Sequence, residues 1–236
     1  MKTVSIVLPV YNEVNTIRKV IEGFYGKVVK NHPEIILIVA EDGSIDGTKE
    51  KLLEMKSKFQ MKLVMGNKKK GYFKAVKDAL MSTNTDFTFF CDTDLTHDPK
   101  DFWNLFKYTG NYDLIIGVKK DRKDPTYRKF LSRVYNIFIF FLFGVYFSDI
   151  NSGFKLMSRE IVKKIVPEIK HIKHGFSSEL VIRSYKAKMR IKAVPVSHFE
   201  RRFGTPLDFT FKRIPKLIVE QLVGMIKLKI ELSKFF

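Results

Sequence analysis

The chain has 236 residues, 45% of them hydrophobic and 29% charged; that is enough to bury one large core and excludes a disordered protein. Its 43 Lys and Arg against 25 Asp and Glu give a formal charge of +18, which calls for an anionic partner: nucleic acid, a phosphorylated ligand or an anionic membrane. A lone cysteine, Cys91, excludes an internal disulfide and fits a reducing compartment.

The apolar run Val4–Leu8 ends at Pro9 and reads as a first strand rather than a signal peptide, whose apolar stretch would be longer. Asn12 to about Val29 follows as a helix, with Val14, Ile17, Val20, Ile21 and Phe24 at helical spacing. Ile35–Ala40 is the second strand and Ile45 to Phe59 the second helix. Lys62–Met65, Phe87–Cys91 and Leu114–Gly117 supply three more strands. Helices at Phe73–Met81 and Lys100–Lys107 connect them, the latter opened by Asp98-Pro99. This alternation predicts an α/β fold, a mostly parallel sheet covered by helices, with ligands bound outside the carboxyl ends of its strands.

From Lys119 to Arg133 the alternation breaks, with seven Lys/Arg against two Asp. The aromatic stretch Ile137–Phe147 comes next. It is shorter than the roughly 18–20 apolar residues a spanning helix needs, and reads either as a buried core helix or as one that touches a membrane. Gly153–Met157 and Ile191–Val196 read as strands, Ser177–Lys188 as a helix. With no repeat and no linker, residues 1–206 are expected to form one domain and 207–236 a helical tail. Along that tail Arg213, Lys216, Glu220, Gly224, Lys227, Glu231 and Lys234 recur every three or four residues as a narrow polar stripe. A wide apolar face fills the rest, which predicts an amphipathic helix lying on an anionic membrane; a helix packed on the domain or on a second subunit is the alternative.

The chemistry gathers at strand ends. Asp92 and Asp94 follow the apolar strand Phe87–Cys91, and Glu41-Asp42-Gly43-Ser44-Ile45-Asp46-Gly47-Thr48 closes the strand before it. A strongly basic chain has no stability reason to collect carboxylates there, whereas Mg²⁺ or Mn²⁺ takes oxygen ligands from one or two carboxylates plus diphosphate oxygens. Asp46 reads as a cap for the second helix, and Asp42 as an acceptor for a nucleobase or ribose. Tyr11, in Pro9-Val10-Tyr11-Asn12-Glu13, offers a flat face to a base or packs in the core. His97 reads as a helix-start residue and not as a ligand.

In order and spacing these three segments resemble the glycosyltransferase family 2 enzymes, whose fold is the Rossmann-like GT-A fold. Asp149-Ile150-Asn151-Ser152-Gly153-Phe154-Lys155 and His198-Phe199-Glu200-Arg201-Arg202-Phe203-Gly204 resemble signatures of its polyprenyl-phosphate branch. Asp94-Leu95-Thr96-His97-Asp98-Pro99 is similar to a segment of dolichyl-phosphate mannose synthases. The resemblance runs from Val4 to about Gly204. It implies inverting transfer of a hexose, mannose or glucose, from a nucleotide diphosphate sugar (GDP-mannose or UDP-glucose) to dolichyl or polyprenyl phosphate. It also implies Pro9, Tyr11, Glu13, Asp42 and Asp92 around the nucleotide, Asp92 and Asp94 at the metal, and Arg201 at phosphate. The expected location is peripheral, on the cytoplasmic face of a membrane. Three departures stand out: Glu41 replaces the family's first Asp, Phe73 its second glycine after Lys70-Gly71, and Thr205-Pro206 its late Ser-Lys.

A phosphate monoester is already anionic near neutral pH, its second pKa being about 6, so such an acceptor needs little help from a base. Positioning and charge handling remain, for which Arg201 and Arg122 are the expected pair beside Asp94; Arg128, Arg133 and Arg202 are further candidates. A transferase acting on a glycan hydroxyl would need a carboxylate near the acceptor, and Glu179 is the candidate. The charge also admits a nucleic-acid-binding protein, but the aromatics form apolar runs instead of interleaving with basic residues, so no nucleic-acid partner is expected.

Overall fold

The computed structural model describes residues 2–201 and 214–234. Its centre is a seven-stranded sheet: β1 (Val4–Val10), β2 (Ile35–Glu41), β3 (Lys62–Met65), β4 (Phe87–Cys91), β5 (Leu114–Lys119), β6 (Phe154–Ser158) and β7 (Ile191–Val196). The strand order is β3-β2-β1-β4-β6-β5-β7, and every pairing is parallel except those of β6, which runs antiparallel to β4 and β5. All seven residues of β1 are buried, as a strand covered on both faces requires. Val4, Ile6, Leu8 and Val10 pack into one core and Val7 into the other; Phe89 and Phe90 of β4 divide in the same way. The expected α/β fold is what the chain adopts.

Helices α1 (Ile17–Phe24) and α2 (Thr48–Lys56) begin later than periodicity suggested, because the residues ahead of each form the loops at the strand ends. α1 continues as a π-helical turn, Tyr25–Val29. α3 (Tyr72–Met81) starts after Gly71, whose φ is +90°. Asp98 opens the next helical segment as expected, accepting the Lys100 N–H at 3.0 Å; a short 3₁₀ turn leads into α4 (Phe102–Phe106). α5 (Thr126–Phe143) begins inside the basic run, takes in the aromatic stretch as far as Phe143 and stops at Gly144, in the left-handed region. α6 (Arg159–Lys164), which periodicity did not suggest, and α7 (Phe176–Lys186) precede β7.

α8 (Ile214–Ser233) packs on the domain, with Met225 and Leu228 buried. The proposed polar stripe is split. Its acids turn inward: Glu231 accepts from His171 (2.6 Å), Lys170 (3.0 Å) and Arg183 (2.9 Å), and Glu220 pairs with His174 at 3.1 Å. Gly224 lies so close to the 171–172 backbone that a Cβ would meet the His171 carbonyl at 2.5 Å. Lys216, Lys227 and the apolar Ile218, Val219, Val223, Ile226 and Ile230 face outward. The 206/207 boundary lies outside the described residues, as does Arg202. Among the described residues no helix is long and apolar enough to cross a membrane.

Candidate active site

The carboxyl ends of β1, β2 and β4 meet, and their loops are tied to one another. Asn12, at φ 54°, donates its N–H to Ser44 Oγ (2.9 Å) and accepts the Ile45 N–H on its side-chain oxygen (3.0 Å). The Glu13 N–H donates to Thr48 Oγ1 at 2.9 Å and the Val14 N–H to Asp46 Oδ2 at 3.2 Å. Asp46 also accepts from the Thr48 N–H (3.1 Å), the helix-start role expected of it. Thr93, between the two aspartates, donates its hydroxyl to the Pro9 carbonyl at 3.0 Å and so joins the ends of β1 and β4.

Asp42 does something the sequence did not suggest. Its two oxygens accept the N–H groups of Lys70 (2.7 Å) and Gly71 (2.9 Å), so it organises the loop between β3 and α3. That loop sends Lys69 over the Tyr11 ring, 4.0 Å from its centre, making Tyr11 a site-facing aromatic, not a core one. It also sends Tyr72 to Asp92: the phenol donates to Oδ1 at 2.9 Å. Burial, with Asp94 alongside, pushes the Asp92 carboxyl up to about 6. Asp94 accepts the hydroxyl (2.7 Å) and N–H (3.2 Å) of Thr96 on one oxygen. Glu41, the departure from the family's Asp, has a fully buried side chain; it accepts the Ser44 N–H and has Lys49 4.0 Å away. Its extra length is used inside the turn.

Beneath Asp92 lies the segment from 149 to 155. Asp92 takes its backbone partner from Gly153 (N–H to carbonyl, 3.0 Å), and any Cβ at Gly153 would overlap the Asp92 carboxylate. Lys155 is fully buried and holds this turn by donating to the carbonyls of Ile150 (3.1 Å) and Ser152; burial lowers its ammonium to about 7. Sequence reasoning quoted this segment but missed these roles, since nothing local says that β6 runs antiparallel beside β4. Tyr72 was missed too; its only signal was its place next to Gly71.

The two arginines separate. Arg201 approaches Asp94 at 3.8 Å and Glu13 at 3.9 Å. Burial raises the Glu13 carboxyl, against the Thr16 hydroxyl and Arg201. Arg122 instead donates to Asp124 (2.6 Å) and Ser132 (3.0 Å), with Lys119 on the same Asp124 at 3.7 Å. His198 links the two groups: it accepts the Lys123 N–H at 3.0 Å, while Phe199 next to it donates its N–H to the Thr96 carbonyl at 2.8 Å. His97 is buried against Phe154 and lowered by burial to about 4; it is a core residue and not the helix-start residue expected, a role that Asp98 takes. Glu179 is fully buried and fully used, accepting from the N–H groups of Lys170 (3.0 Å), His171 (2.8 Å) and Ile172 (2.7 Å) and from Arg183 (2.9 Å). It is a structural acid and not a base poised for an acceptor.

A family model described as "Glycosyl transferase family 2" matches residues 5–166, from β1 through α6. The chain belongs to glycosyl transferase family 2. Among its relatives, an uncharacterized protein of Methanocaldococcus jannaschii is 28% identical over 93% of this chain and 92% of that protein. The undecaprenyl-phosphate 4-deoxy-4-formamido-L-arabinose transferase of Pectobacterium carotovorum is 27% identical over 94% of this chain and 67% of its own length. By fold, this family 2 chain is similar to the Mycobacterium tuberculosis glucosyl-3-phosphoglycerate synthase solved with Mn²⁺, UDP and glucosyl-3-phosphoglycerate. The TM-score is 0.70 at 20% identity, over 95% of this chain and 80% of that one. It is also similar to a Pyrobaculum calidifontis mannosyltransferase solved with GDP-mannose and Mn²⁺, with a TM-score of 0.69 at 16% identity, over 98% and 64% of the two chains. These likenesses confirm the GT-A fold for this family 2 member.

The donor set suits a hard divalent cation completed by phosphate. Among the described residues no group of three or more His, Cys, Asp or Glu is placed to hold a metal ion. Burial and then the neighbouring Asp94 raise the Asp92 carboxyl, and a dication held by the pair would offset both effects.

Proposed function

We propose that this family 2 enzyme transfers a hexose, with inversion, from a nucleotide diphosphate sugar to a polyprenyl or dolichyl phosphate at a membrane surface. Mannose is favoured over glucose by the similarity of Asp94-Leu95-Thr96-His97-Asp98-Pro99 to the mannose-synthase segment. The acceptor phosphate oxygen attacks the anomeric carbon, the carbon–oxygen bond to the diphosphate breaks, and the nucleoside diphosphate leaves. Asp92 and Asp94 would hold Mg²⁺ or Mn²⁺, which neutralises the departing diphosphate. Tyr11 would face the base, with Pro9, Glu13 and Asp42 framing the nucleotide. Arg122, with Lys119 beside it, is suited to the acceptor phosphate. Arg201 lies nearer the carboxylates and fits either the acceptor phosphate or the diphosphate.

The observation that carries a lipid acceptor is α5. It starts just after the Lys119–Arg122 cluster, is joined to it through Ser132, and exposes Phe130, Val134, Ile137, Phe138 and Phe141 along its outer side. An aromatic helix rooted at a phosphate-binding site suits an isoprenoid chain leaving that site. The saturation of Glu179 disfavours the hydroxyl-acceptor alternative. The test is a donor panel (GDP-mannose, UDP-glucose and others) with polyprenyl phosphate, with and without EDTA. The expected result is an EDTA-sensitive lipid-linked product from one donor. Transfer to a free sugar hydroxyl, with none to lipid phosphate, would replace this reading with the alternative.

A further inference from the structure

Tyr72 is the first residue of α3, and the loop ahead of it is fixed on three sides. Asp42 accepts the Lys70 and Gly71 N–H groups. The Gly66 N–H donates to the Glu41 carbonyl at 2.8 Å. The backbone of Lys68 and Lys69 lies against Gly43, where a Cβ would meet it at 2.5 Å. The side chain therefore leaves from a set position, and its hydroxyl reaches Asp92 Oδ1 at 2.9 Å. Asp92 Oδ2 is packed against Gly153, so the carboxylate is gripped between a phenol and a glycine. The tyrosine is 50% exposed, too much for core filling to explain its presence; the polar contact is its distinctive interaction.

We propose that Tyr72 is a positioning residue for donor binding, its hydroxyl fixing the Asp92 carboxylate in the orientation that receives a divalent cation and a nucleoside diphosphate. This rests on the reading of Asp92 and Asp94 as the metal- and diphosphate-binding pair. Two like charges side by side tend to turn away from each other, and a neutral donor bound to one of the carboxylates opposes that turn without competing as a cation would. Removing such an outer hydrogen bond from a ligating carboxylate typically costs about 10–100-fold in metal affinity.

The experiment compares the full chain with Tyr72→Phe, which keeps the ring and removes only the hydroxyl. Mn²⁺ is titrated in the presence of GDP and of UDP, each nucleotide is titrated again in EDTA, and thermal unfolding is followed for both proteins. The expected result is an unchanged unfolding temperature, unchanged nucleotide binding in EDTA, and Mn²⁺ affinity about 10-fold or more weaker in the variant. Equal Mn²⁺ affinity in the two proteins overturns the inference while leaving the site reading intact. So does a loss of nucleotide affinity that persists in EDTA, which would make Tyr72 a nucleotide contact, or a lowered unfolding temperature, which would make it structural. Failure of the wild-type protein to bind Mn²⁺ with either nucleotide overturns the site reading itself.

Discussion

Gly153 shows how a single atom controls the site. Its missing Cβ makes room for the Asp92 carboxylate, so Gly153→Ala forces that side chain out of place. We expect transfer to be lost and stability to fall by about 1–3 kcal/mol, the usual range for overpacking, measured by turnover and chemical denaturation. Among the described residues the polar partners of Asp94 are Thr96 and Arg201, so Asp94→Ala removes polar contacts at a strand end and no apolar core contact. It should keep the wild-type unfolding temperature and lose at least about 10²–10³-fold in kcat, as removal of one transition-state partner does elsewhere; near wild-type turnover in saturating Mn²⁺ would take Asp94 out of the metal site. Arg201→Ala separates two roles for one guanidinium. Its nearness to Asp94 and Glu13 predicts a rise in donor KM, whereas an effect on acceptor KM alone would return it to the acceptor phosphate.

At the scale of elements, α8 is held by charge as much as by apolar contact. Burial acts to raise the Glu231 carboxyl, but hydrogen bonds from His171, Lys170 and Arg183 outweigh it and hold the group down at about 2. A depressed carboxylate stabilises the fold above its unfolded pKa, near 4.5, and that contribution disappears as pH falls from there through about 2. Docking of α8 should therefore weaken across that acid window. Glu231→Gln should remove the same contribution at neutral pH, about 1.5–3 kcal/mol by denaturation, and flatten the acid limb of the stability profile. An unchanged acid limb in the variant would mean that other carboxylates set it.

Over the whole molecule, the helices α5 and α8 pack on each other and carry Phe138, Phe141, Val223, Ile226 and Ile230 into solvent, with Lys227 and Lys229 exposed on α8. A lipid acceptor requires the site to sit at a bilayer, and an apolar surface edged with lysine suits an anionic one. The protein should co-sediment with vesicles containing anionic lipid more than with neutral ones. Phe141→Glu combined with Ile226→Glu should release it without lowering its unfolding temperature. Binding unaffected by both charges would move the membrane contact elsewhere.

What could be read from the chain alone follows from local rules. Apolar runs closed by Asp, Gly and Pro gave β1, β2, β4 and the acidic strand ends, because a buried parallel strand must be apolar throughout and its ligand-binding turn must be polar. Those acids, with Tyr11 and Glu13, follow the carboxyl ends of β1, β2 and β4, which parallel pairing puts on one side. The partners of those groups were settled by tertiary contact. Asp42 serves a loop 28 residues away, Gly153 lies under Asp92 through an antiparallel pairing, and Glu179 satisfies a loop instead of a substrate. The tail was the hardest to read. Periodicity put the charges of α8 on one polar stripe, which the structure splits between the domain side and the outside, because spacing does not say which side a neighbour will take. The packing of Gly224 on the His171 carbonyl and the hydrogen bonds that His171, Lys170 and Arg183 make to Glu231 turned the acids inward, leaving an apolar face outside. A sequence fixes which faces a helix has; only the surface it meets decides which one is buried.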